Sequence, residues 1–110
     1  MTSQEIGGGS PEKKSVGLKE KLANLRDYAP GYDDSIYEFA RFLSTRASDE
    51  LTPRGFDLMV DMAIADLERG KDGLTGKPIE GKLVGYKQRT YALFKMNILR
   101  IKELFFDKEK

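Results

Sequence analysis

The chain contains no cysteine and no histidine. Without cysteine there is no disulfide framework and no thiol chemistry. Without histidine, the commonest metal ligand and the side chain that titrates near neutrality are both missing. Triads built on either residue, and the common zinc sites, are excluded by composition. No run of about 18 apolar residues occurs, so no membrane span is expected. The first ten residues are polar and rich in glycine rather than basic then apolar, which argues against a secretory signal. A cytoplasmic setting is the expectation that follows. Neither a metal nor an organic cofactor is expected, nor a small-molecule substrate.

At 110 residues the chain has room for one modest core. Its net charge is only +1, but the charge is unevenly placed. Ala23 to Gly70 holds five arginines against ten acids, whereas Lys71 to Lys110 holds ten basic residues against five acids. Such asymmetry marks either an anionic partner for the basic part or two parts of one fold that attract each other.

Residues 1–16 read as a disordered tail, because Gly7-Gly8-Gly9-Ser10-Pro11 cannot hold a helix. Residues 17–110 read as a single helical domain. Leu18, Leu22, Leu25 and Ala29 recur at spacings of four, three and four, the mark of a first amphipathic helix that Pro30-Gly31 ends. Asp33 or Asp34 caps a second, running from about Ser35 to Ala47, with Ile36, Phe39, Ala40, Leu43 and Ala47 inward. Thr52-Pro53 is the sharpest start signal: a capping hydroxyl, then proline where a missing N–H is no loss. That third helix reaches Arg69 and stops at Gly70, with Phe56, Met59, Val60, Ala63, Ile64 and Leu67 inward and Asp57, Asp61, Asp66 and Glu68 outward. Residues 71–85 form a long loop broken by glycine and proline.

The most apolar stretch runs from Tyr86 to Phe106 without glycine or proline. Read as one helix, it places Tyr91, Phe94, Ile98, Ile101 and Phe105 on one stripe, widened by Leu93, Met96, Asn97 and Leu104. The expected fold is all-α: a small bundle of three short amphipathic helices beside a longer apolar C-terminal helix. The longer helix is expected to carry more apolar surface than its neighbours hide, and surplus of that kind marks a binding site. The first functional expectation is therefore a non-enzymatic interaction module that docks a protein partner, or a second copy. It would do so through Phe94, Ile98, Ile101, Phe105 and Phe106, for example as a regulatory or assembly subunit of a transcription or replication complex.

The alternative is a nucleic-acid binder using Lys82, Lys87, Arg89, Lys95 and Lys102, with Tyr86 stacking on unpaired bases. Other motifs fail on inspection. Gly70 to Pro78 lacks phosphate-loop spacing and puts Pro78 where Ser or Thr should stand. A helix-turn-helix around Ser48 to Thr52 would turn the carboxylates of the third helix toward phosphates. The acid pairs Asp33/Asp34 and Asp49/Glu50 sit at helix boundaries, where capping accounts for them. Asn97, on an apolar face, needs partners if buried, and such a residue can set helix register in an oligomer.

Overall fold

A computed structural model describes residues 17–106. The tail expected over residues 1–16 and the charged end over residues 107–110 lie outside the described residues. Within them the chain forms α1 (Leu18–Ala23), α2 (Leu25–Tyr28), α3 (Asp34–Ser44), α4 (Pro53–Arg69), α5 (Gln88–Ile101) and α6 (Glu103–Phe106), with one 3-10 turn at Lys82–Gly85. The architecture is all-α, as the periodicity predicts.

Helix α3 is the hub and touches α1, α2, α4, α5 and the 3-10 turn. Its inward residues Ile36, Phe39, Ala40 and Leu43 are all buried. Phe39 stacks on Phe94 of α5 with ring centroids 5.2 Å apart. Tyr37 locks the turn into α3: its hydroxyl donates to the Ala29 carbonyl at 2.7 Å and accepts from the Tyr32 N–H at 3.0 Å. Fully burying a side chain such as Phe39 contributes about 1.5–3 kcal/mol, so these few aromatics and leucines are the main cohesive force.

Helix ends follow the chemistry of their residues. The Thr52 hydroxyl accepts from the Gly55 N–H at 3.0 Å, with Pro53 in the first turn. Gly70 closes α4 in the left-handed region at φ 75°. Asp33 occupies the N-cap position of α3 without a side-chain cap bond, and Asp34 instead pairs with Arg26 at 2.6 Å. A distant residue caps α1: Asp49 accepts the Lys19 N–H at 2.9 Å.

Three boundaries differ from the sequence reading. The first helix breaks at Asn24, whose side chain and backbone N–H both bond the Glu20 carbonyl; an amide competing for helix carbonyls is the physical reason. The second ends at Ser44 rather than Ala47, because the hydroxyls of Ser44 and Thr45 turn back to the carbonyls of Arg41 and Phe42. The last run starts at Gln88, after extended Tyr86 and Lys87. It loosens at Lys102 before α6, so α4, with 17 residues, is the longest single helix.

Candidate docking groove

The structure corrects the expected anchor face. Phe94, Ile98 and Ile101 are 1%, 0% and 2% exposed within one copy of the chain, so they are core and not docking residues. Phe105 and Phe106 are half-buried, their rings 5.9 and 5.7 Å from that of Phe56. The reason is geometric. Helices α3 and α4 enclose the inner stripe of α5, and α6 then folds its two phenylalanines over α4. What remains outward on this run is Leu93, Met96 and Leu104. Asn97 is satisfied locally, donating to the Leu93 carbonyl at 3.0 Å, so it does not act as a buried register residue.

The basic residues divide in two. Lys95 pairs with Asp61 at 2.6 Å and Lys102 with Asp57 at 2.8 Å. The basic C-terminal part therefore meets the acidic face of α4, and a phosphate would have to compete with Asp61 and Asp57 for these two lysines. Tyr86 is half-buried and sets its ring edge-on against Phe94 at 5.3 Å. Lys82, Lys87 and Arg89 stay exposed. Tyr91 is buried, its hydroxyl 2.8 Å from the Leu83 carbonyl and 3.0 Å from that of Val84. Burial, followed by the nearby Glu68 charge, raises its pKa.

A different surface draws together the exposed apolar side chains. Leu51, Gly55, Leu58, Met59, Met62, Ala65 and Leu74 line an open groove of about 570 Å³ on the outer side of α4. Leu58, Met62 and Leu74 are 56%, 60% and 67% exposed. The largest contiguous apolar patch on a monomer is often a contact surface, and these three neighbouring side chains form one candidate. One wall is the 71–79 loop, with Leu74 displayed on it.

That loop is held by a buried ionic network. Arg46, stacked on Phe42 at 4.4 Å, donates to Asp66 at 2.8 Å and to Asp72 at 3.1 Å. Asp66 also takes the Arg69 guanidinium and the Gly73 N–H, the latter at 3.0 Å. The Arg46 and Asp66 side chains are each 6% exposed. Burial opposes ionisation of Asp66. The Gly73 N–H, the Arg46 bond and the charges of Arg46 and Arg69 outweigh it and hold the carboxyl below its usual range. Asp72 in turn accepts the Leu74 N–H at 2.7 Å, and the Ile79 N–H reaches the Gly70 carbonyl at 2.9 Å. The stretch compared above with a phosphate loop is thus a closed turn, clamped to Asp66 of α4 and to Arg46 in the turn that follows α3.

Sequence reading missed this site because it treated the outer face of α4 as acidic throughout. The signal was present: Leu58, Met62 and Ala65 recur at spacings of four and three between the acids. Among the described residues, no group of three or more Asp and Glu side chains gathers as metal ligands, and no helix is long and apolar enough to cross a membrane. Comparisons with protein-family models, curated proteins and solved structures find no match for this chain.

Proposed function

We propose that the chain is a non-enzymatic protein-interaction module that receives a protein partner in the groove along α4. The observation that carries this reading is the cluster of Leu58, Met62 and Leu74, each more than half exposed, around a concavity whose floor is a fixed ionic network. A rigid floor and wall favour docking because little ordering is left to do on binding. The outward strip Leu93, Met96 and Leu104 keeps part of the C-terminal run available as a second contact face. A regulatory or assembly subunit, working in the cytoplasm, is the setting this reading fits.

The alternative, nucleic-acid binding, rests on Lys82, Lys87 and Arg89, and is the weaker for the pairing of Lys95 and Lys102. The experiment is binding by Leu58→Asp/Met62→Asp against the unaltered chain, with helicity and melting as controls. Loss of partner binding at unchanged melting supports the groove. Undiminished binding sinks it.

A further inference from the structure

The charges around the groove select its occupant; this inference rests on the docking role proposed for α4. Arg54, Leu58, Met62, Ala65 and Arg69 follow at spacings of four, four, three and four, so they form one line up the outer side of α4. At about 1.5 Å per residue that line is roughly 22 Å long. Its middle is apolar and each end is a guanidinium.

The two ends remain open to a new carboxylate. Arg54 is exposed, and no ion pair among the described residues includes it. The first turn of α4 has no acid, so the positive end of the helix dipole adds to Arg54. Arg69 is 57% exposed and gives only Nη2 to Asp66. The acids beside the line are already engaged: Asp57 by Lys102, Asp61 by Lys95, and Asp66 and Asp72 by Arg46. Glu50, exposed on the turn before α4, Glu68, exposed beside Arg69, and Lys71, exposed just after the helix, are further charges near the two ends in sequence.

We infer that the groove takes an amphipathic helix from a separate protein, about four turns long, carrying Asp or Glu at both ends of its apolar stripe. Apolar anchors spaced along one helix face suit a groove that is open and linear rather than enclosed. A second copy of this chain does not suit it. Antiparallel pairing of the line sets Arg54 against Arg69, and parallel pairing sets each arginine against itself. Like charges across an interface are costly and exclude such partners. A small apolar ligand would leave both guanidinium ends unused.

The test is a display library of 18-residue helices with the apolar stripe fixed as leucine and the two flanks randomised. It is selected on the full chain and counter-selected on Leu58→Asp/Met62→Asp. Enrichment of Asp and Glu at both flanks is expected, with Arg54→Glu/Arg69→Glu weakening the selected peptides about tenfold and reversing the preference to Lys or Arg. Groove-dependent binders with neutral or basic flanks would overturn the acidic partner and leave the docking role standing. Failure to recover any groove-dependent binder would overturn both. Sedimentation of the isolated chain gives the last arm: a dimer abolished by Leu58→Asp would overturn the separate partner in favour of self-association.

Discussion

Replacing Arg46 by methionine tests the scaffold of the groove. Arg46 is 6% exposed and bridges two carboxylates that follow one another in the chain around the Gly70 stop. Removing one member of a buried ion pair costs about 3–5 kcal/mol, because the other charge is left without its counter-ion. Asp66 keeps Arg69 and the Gly73 N–H, so the lower end, about 3 kcal/mol, is expected. Against a total stability of roughly 5–15 kcal/mol this is a large share, and for a chain of this size it lowers Tm by roughly 15 °C. Urea and thermal unfolding followed by circular dichroism measure it. Hydrogen exchange should also show faster exchange at the Gly73 amide, since its acceptor loses its anchor. A cost under about 1 kcal/mol, the range of an exposed pair, would refute the claim that this network holds the loop wall.

Other outcomes follow from the same geometry. Asp66 has a folded pKa below 3.8, so its contribution is full above that value and is lost as pH falls through the lower folded pKa. Asp66→Asn should flatten the acid limb of stability without abolishing it, because the Arg26 hydrogen bond also lowers Asp34; an unchanged limb in pH-dependent urea melts would contradict this. Phe94→Ala should cost about 3–5 kcal/mol, whereas Leu93→Ala should change stability by under about 0.5 kcal/mol; similar costs would show the inner and outer sides of α5 misassigned. Asp49→Ala should cost about 1 kcal/mol through the lost α1 cap. Gly17→Ala should cost about as much, and the two should not add, because the new methyl would lie 2.3 Å from the Asp49 carboxyl carbon. If Lys82, Lys87 and Arg89 carry DNA binding, three phosphate contacts predict that affinity falls with salt at a log–log slope of about −2.7, and a slope near zero would contradict it.

Much of the fold was readable from spacing and punctuation. Thr52-Pro53 and Gly70 bound α4 where expected, since a cap hydroxyl, a proline and a left-handed glycine act locally. The breaks at Asn24 and Ser44 depend on side chains choosing between a helix carbonyl and solvent, a balance of less than about 1 kcal/mol that periodicity does not register. The docking face was misplaced for a related reason. The C-terminal stretch is expected to carry more apolar surface than its neighbours hide, yet a helix that apolar is the one its neighbours cover. Helix α4 carries two apolar sides, and Leu58 and Met62 lie among acids that turn out to be tied to α5. Asp66 looked like surface charge, because its partners Arg46 and Gly73 come from turns whose approach no spacing rule gives.

The central claim is that the outer stripe of α4 is open in the free chain and covered in a complex, and methionine footprinting addresses it directly. Met62 and Met96 are 60% and 50% exposed, and Met59 is 7% exposed. Hydroxyl-radical oxidation of the free chain should modify Met62 and Met96 rapidly and Met59 slowly, and a bound acid-flanked helix should protect Met62 while leaving Met96 reactive. A Met62 as slow as Met59 in the free monomer, or unprotected in the complex, would contradict the account.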